Sequence, residues 1–178
     1  MKENKYMTRI NNAFFSGALA LLFGVAANLA VAAQGENFVD EASAKGLAEI
    51  ETAKLALEKG TAEDVKSFAQ MMIDDHTMAN QKLAEIAGQH DDLELSDDAT
   101  LMDKAKAMIL QIRDGENFDK AYANNQVVAH EQTIELFRNY VEQGEHADLK
   151  AFAESTLPKL EQHLEEAKAL AAAHGSKQ

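Results

Sequence analysis

Apolar side chains recur every three to four residues through most of this chain. Val65, Phe68, Ala69, Met72, His76, Ala79, Leu83 and Ile86 follow the i, i+3, i+4, i+7 spacing of a helix with one buried face. A second stripe runs through Leu149, Phe152, Ala153, Leu160, His163, Leu164, Ala167 and Leu170. A third, less regular, joins Val127, His130, Ile134, Phe137 and Val141, and Gly46, Ile50, Ala53 and Leu57 define a fourth. The pattern predicts helices over roughly 37–59, 62–88, 116–143 and 146–173, with a shorter one near 98–113. Gly60 and Gly144 are helix stops, and Thr61 is a candidate N-cap with Asp64 three positions on. Pro158 lacks a backbone donor, so the fourth helix should bend or break just before it.

The chain also repeats itself. A shift of 84 positions superposes Ile50 on Ile134, Glu51 on Glu135, Glu58 on Glu142, Gly60 on Gly144, Asp64 on Asp148, Lys66 on Lys150, Phe68 on Phe152 and Ala69 on Ala153. Two similar αα-hairpins are implied, joined by the acidic stretch from Gln89 to Gly115. A connection of that length can cross a whole bundle, as in ferritin-like folds. The expected fold is therefore all-α: a ferritin-like antiparallel four-helix bundle of two αα-hairpins, with a long crossover carrying a short helix.

The first residues do not fit this pattern. Lys2, Lys5 and Arg9 precede an uncharged apolar run from Ala13 to Ala27, and Ala30-Val31-Ala32-Ala33 supplies an A-x-A-like cleavage site. At about 15 residues, the run is short of the roughly 20 needed to span a bilayer. Residues 1–33 are expected to be a cleaved signal peptide and 34–178 the bundle domain, exported to the periplasm and not inserted in the membrane. Losing Lys2, Glu3, Lys5 and Arg9 leaves 14 basic and 29 acidic side chains, and moves the formal charge from -13 to -15. That balance argues against nucleic acid or an anionic membrane as partner. The chain has no cysteine, so neither a disulfide nor a thiolate contributes.

What remains is a set of histidines where imidazole is not the usual filler. His76, His130 and His163 lie on or near the apolar stripe of three different helices, each within about one turn of the helix midpoint. A midpoint is unchanged when a helix is reversed, so the three rings meet at one level of the bundle. Glu49 sits at that level on the edge of the first helix's buried side, and Glu166 shares a face with His163. Three imidazoles with one or two carboxylates suit one divalent transition metal: Zn, Fe, Mn or Cu. Met72 and Met78 flank His76; thioether favours copper, but methionine at helical spacing is more often core. Asp74, Asp75 and Asn80 are placed to orient His76 from behind.

The bland reading is that buried histidines hydrogen-bond within the core and only fix helix register. On that reading the chain is a non-catalytic, envelope- or stress-associated bundle that binds a protein partner. His90, His146 and His174 fall at helix ends, where surface roles are expected. No catalytic triad order, phosphate loop or zinc-protease signature is present, so neither a hydrolase nor a nucleotide enzyme is indicated.

The segments FVDEASAKGLAEIETAKLALEKG, DVKSFAQMMIDDHTMANQKL, FDKAYANNQVVAHEQTIELF and DLKAFAESTLPKLEQHLEEAKAL together resemble the DUF4142 family of exported bacterial proteins. The resemblance implies a ferritin-like bundle outside the cytoplasm, of uncharacterised function. It also implies that the recurrent positions fall on Glu49, Asp75, His76, His130 and His163. The di-iron pattern of ferritin-like enzymes needs Glu three residues before His. Ile73 and Leu160 stand there, which disfavours a carboxylate-bridged di-iron centre and leaves a mononuclear site.

Overall fold

Among the described residues four long helices form the bundle: α1 (Gly17–Lys59), α2 (Glu63–Ala87), α3 (Gly115–Gln143) and α4 (Ala147–Gly175). The computed structural model describes residues 17–91, 93, 95, 104, 107–108 and 110–175, with side chains from 34 onward. The short helix expected near 98–113 lies largely outside the described residues, although Leu110 and Gln111 at its end are helical. Helix α1 begins well before the expected position 37. Residues 17–33 are rich in the strong helix formers Ala and Leu, and no proline separates them from the bundle segment.

Helix α1 packs against α2 and α3, and α4 against α3 and α2. Each of these neighbours is antiparallel. Lys59 at the end of α1 meets Asp114 before α3 at 3.2 Å, and Asp64 at the start of α2 meets His174 at the end of α4 at 3.0 Å. Gly88 and Asp114, between which the crossover connects, therefore lie at opposite ends of the bundle, as the sequence implies. From residue 34 on, no helix among the described residues is long and apolar enough to cross a membrane.

The two hairpin turns use one device. Gly60 N–H donates to Ala56 O at 3.0 Å and Gly144 N–H to Tyr140 O at 2.7 Å. A Cβ at either glycine would lie 2.5 Å from that same carbonyl oxygen, so no larger residue fits without moving the turn. The α2 N-terminus is not capped by Thr61 as its sequence suggested. Asp119 of α3, 1% exposed, caps it instead, accepting from Thr61 N, Thr61 Oγ1 (2.6 Å) and Ala62 N (3.1 Å). This carboxylate ties the first hairpin to the second.

Pro158 does not break α4, which is helical from Ala147 to Gly175. The carbonyl it leaves without a partner belongs to Glu154, and both residues lie on the exposed side, where solvent can take the place of the lost donor.

The apolar interior is divided. One cluster gathers Phe38, Leu83, Ile86, Phe137, Tyr140 and Phe152 with their neighbours; the other gathers Ala53, Val65, Phe68, Met72, Phe118, Tyr122 and Leu170. In sequence, the boundary on α2 falls between Met72 and Leu83, on α3 between Ala123 and Ile134, and on α4 between Leu160 and Ala167. The three mid-helix histidines occupy that boundary.

Candidate metal centre

His76, His130 and His163 are 6%, 1% and 1% exposed. Their ring centroids stand 5.7 Å (His76–His130), 5.7 Å (His76–His163) and 5.4 Å (His130–His163) apart. One nitrogen from each ring lies within 4.8 Å of one nitrogen from each of the others. Three elements deliver them because each histidine sits on the inward stripe of its helix at the same height.

Hydrogen bonds to two of the rings decide which nitrogen is available. His130 Nδ1 lies 2.9 Å from Gln126 O, one turn earlier on α3. A carbonyl only accepts, so Nδ1 carries the proton and the neutral ring keeps its lone pair on Nε2. His163 Nε2 lies 2.8 Å from Asp75 Oδ2, and the carboxylate fixes the proton there, leaving Nδ1 as the base. His130 Nε2, His163 Nδ1 and His76 Nε2 are all buried and have no hydrogen-bond partner. Buried polar atoms are normally satisfied, and three orphans of one kind at one level are unusual.

Burial disfavours the charged forms of His76 and His163. Burial pulls the His76 pKa well below the ordinary histidine value, and the neighbouring His130 and His163 lower it further. Burial also lowers that of His163; the hydrogen bond it donates to Asp75 opposes the shift, and His130 adds to it. Neutral imidazole is the form that binds a metal.

The other expected residues divide. Glu49 is buried at 4% exposure on α1, and its charge raises the Tyr122 pKa after burial has done so first. Its carboxylate is thus within electrostatic reach of Tyr122, though it does not join the three mutually close nitrogens. Glu166 is not brought into the interior. It lines an outer groove between α2 and α4 with Asp64, Phe68 and Met71, and accepts from Gln162 at 2.9 Å. Three residues after His163 is a 60° offset around the helix, enough to turn Glu166 from the core towards that groove.

The residues expected to orient His76 do other things. Asp75 reaches across to His163 on α4 and is paired there with Lys159 at 3.4 Å. Asp74 accepts from Gln70 on the surface, and Asn80 donates to Ser43 O of α1 at 3.3 Å. The side chain of Gln126 and the hydroxyl of Tyr122, below His130 on α3, are also buried without partners. The Tyr122 hydroxyl prolongs the polar level toward Glu49, whose charge it feels. Their spacing, Tyr122, Gln126, His130, is the only sequence signal that could have found them.

Comparison with known proteins agrees with the fold. The model of the family described as a domain of unknown function, DUF4142, matches residues 21–170. No curated protein matches the chain. A crystal structure of a DUF305 protein from Streptomyces coelicolor, described as secreted, superposes with a TM-score of 0.68 at 16% identity, over 83% of this chain and 94% of that one. The likeness in structure extends to the helical fold alone, while the family match spans both hairpins and all three central histidines: the chain belongs to the DUF4142 family.

Proposed function

We propose that this protein is an exported, periplasmic bundle that binds one divalent transition-metal ion through His76, His130 and His163. The observation that carries the reading is the set of three buried, unpartnered nitrogens: His76 Nε2, His130 Nε2 and His163 Nδ1. If imidazoles served only to fix register, each buried nitrogen would be expected to meet a donor or acceptor. A metal ion satisfies all three at once.

The dimensions fit. A triangle of nitrogens with sides of at most 4.8 Å has its centre at most about 2.8 Å from each corner. Movement of each ring by about 0.7 Å reaches the roughly 2.1 Å of a metal–imidazole bond. Glu49 adds a negative charge at the same level and is the candidate fourth ligand; Glu166 contributes only through local rearrangement of α4. Three nitrogens with an oxygen suit Zn²⁺, Fe²⁺, Mn²⁺ or Cu²⁺. Bound there, such an ion supplies a Lewis-acid centre, or a redox centre for iron and copper. Asp75 holds the His163 tautomer, the Gln126 carbonyl holds that of His130, and the apolar clusters above and below keep water out. The leader expected over residues 1–33 and the secreted description of the DUF305 neighbour both support export.

Elemental analysis of untagged protein taken from its own compartment should find at least one first-row transition ion per chain. Adding the right ion to metal-free protein should raise the melting temperature, since a ligand that binds only the folded state stabilises it. Absence of any such ion, together with no thermal shift from Zn²⁺, Fe²⁺, Mn²⁺ or Cu²⁺, would overturn the reading.

A further inference from the structure

His90 and His174 are 84 positions apart, the same offset that relates the two hairpins, and so are Asp64 and Asp148. The structure crosses the pairs. His90 at the end of α2 contacts Asp148 at the start of α4 (Nε2···Oδ2 2.6 Å), and His174 at the end of α4 contacts Asp64 at the start of α2 (3.0 Å). Each end of the α2–α4 interface is thus closed by one His–Asp clasp. A purely structural clasp needs nothing more, and at the Asp64 end no third ligand atom among the described residues joins the pair at such distances: position 62, two before Asp64, is alanine.

At the other end, position 146, two before Asp148, is a third potential ligand. The His146 ring stands 5.1 Å from that of His90, centroid to centroid, at 84°. One ligand atom each from His90, His146 and Asp148 lie within 4.8 Å of one another. The Nε2 of His146 is buried without a hydrogen-bond partner. That nitrogen packs over Gly35 of α1, where a Cβ would come within 2.8 Å of it. The backbone of α1 leaves room for the ring only because residue 35 is glycine.

From this departure from the internal symmetry we infer that His90, His146 and Asp148 form a second metal site, accessible from solvent, for a borderline divalent ion such as Zn²⁺. The ion takes the place of the proton shared by His90 Nε2 and Asp148 Oδ2, which passes to water, and His146 supplies the third ligand atom. The side chains of His90 and Asp148 are 27% and 39% exposed, so water can complete the coordination and the ion can exchange. The local field permits a cation. The negative end of α2 and the positive end of α4 meet here and oppose each other, and Asp148 adds a full negative charge. The site lies about 20 Å along α2 from His76, at 1.5 Å per residue, so the two sites are independent.

Titrating the whole metal-free protein with Zn²⁺ alone, by calorimetry, tests this. His146→Ala and Asp148→Asn should each weaken one binding phase by about tenfold or more, while His174→Ala leaves it unchanged. This phase is expected to persist in His76→Leu, so its presence or loss is read separately from that of the central histidines. Imidazole ¹H–¹⁵N spectra of the unmutated protein provide a check that needs no variant. Zinc should shift the nitrogens of His90 and His146 and leave His174 in place. Zinc affinity that His146→Ala does not alter, or spectra in which His90 and His146 do not move, would overturn the site.

Discussion

Asp75 of α2 holds His163 of α4 from behind, its Oδ2 accepting a 2.8 Å hydrogen bond from His163 Nε2 while Lys159 approaches the same oxygen at 3.4 Å. The contact bridges two helices and fixes which nitrogen of His163 faces its two partner rings. Removing it frees the ring to flip and to change tautomer. Asp75→Ala should weaken metal binding about 10- to 100-fold, the usual effect of losing the carboxylate behind a ligating histidine. Asp75→Asn should fall between this variant and wild type, because an amide can keep the hydrogen bond but lacks the charge. Competition against a chelator of known affinity provides the measurement.

The three central histidines should behave as one unit in binding and as liabilities in its absence. His76→Leu places an apolar side chain where a buried nitrogen lacks a partner, and such exchanges are often neutral or stabilising. Metal affinity should disappear, while the melting temperature of the metal-free protein stays level or rises by a few degrees, the equivalent of about 1 kcal/mol. A large loss of stability without metal would instead identify His76 as a structural core group.

Acid should destabilise the metal-free bundle. The pKa of His76 is well below the ordinary value in the folded state, through burial first and its imidazole neighbours second, and that of His163 is shifted in the same direction. The unfolded chain takes up protons near pH 6.5 that the folded core refuses. Stability is therefore fully present above that pH and declines as pH falls towards the depressed folded values. The lowered pKa values of Asp64 and Asp148 act only around and below pH 4, a separate window. Thermal melts between pH 7.5 and 5 should show the decline, and His76→Leu should flatten it.

Asp119 should prove one of the more costly surface-to-core connections to remove. It satisfies two backbone N–H groups and a hydroxyl at the start of α2 from a position on α3. Asp119→Ala should cost about 2–3 kcal/mol, between the loss of a helix cap and that of several buried bonds. That corresponds to a melting temperature about 5–10 °C lower for a chain of this size. Metal affinity should hold, because the central rings lie three helical turns away along α3.

Much of this architecture is legible in the sequence because helical periodicity reports the buried face directly. His76, His130 and His163 share a level because midpoints are insensitive to helix direction. What periodicity does not report is which neighbouring helix a residue at the edge of the stripe will meet. Asp75 and His76 are consecutive, so about 100° apart around α2. One turns inward, the other toward α4, and the partner of Asp75 depends on how α4 is rotated against it. Glu166 fails to enter the core for the same reason, and Asp119 reaches Thr61 only because the second hairpin docks at that height. His90 and His146 belong to different hairpins and meet only once the crossover has closed the bundle.

The division of the apolar interior has a bearing on how this molecule opens. Two separate hydrophobic clusters, each spanning both hairpins, meet at a middle level where the buried polar side chains include the three imidazoles, Glu49 and Gln126. Without an ion, that middle storey is a weak joint, and amide exchange should show the two ends opening with distinct free energies. An ion held from α2, α3 and α4 at once would rivet the joint. Occupancy of the centre would then be read far from it, as the point where two half-bundles begin to unfold as one.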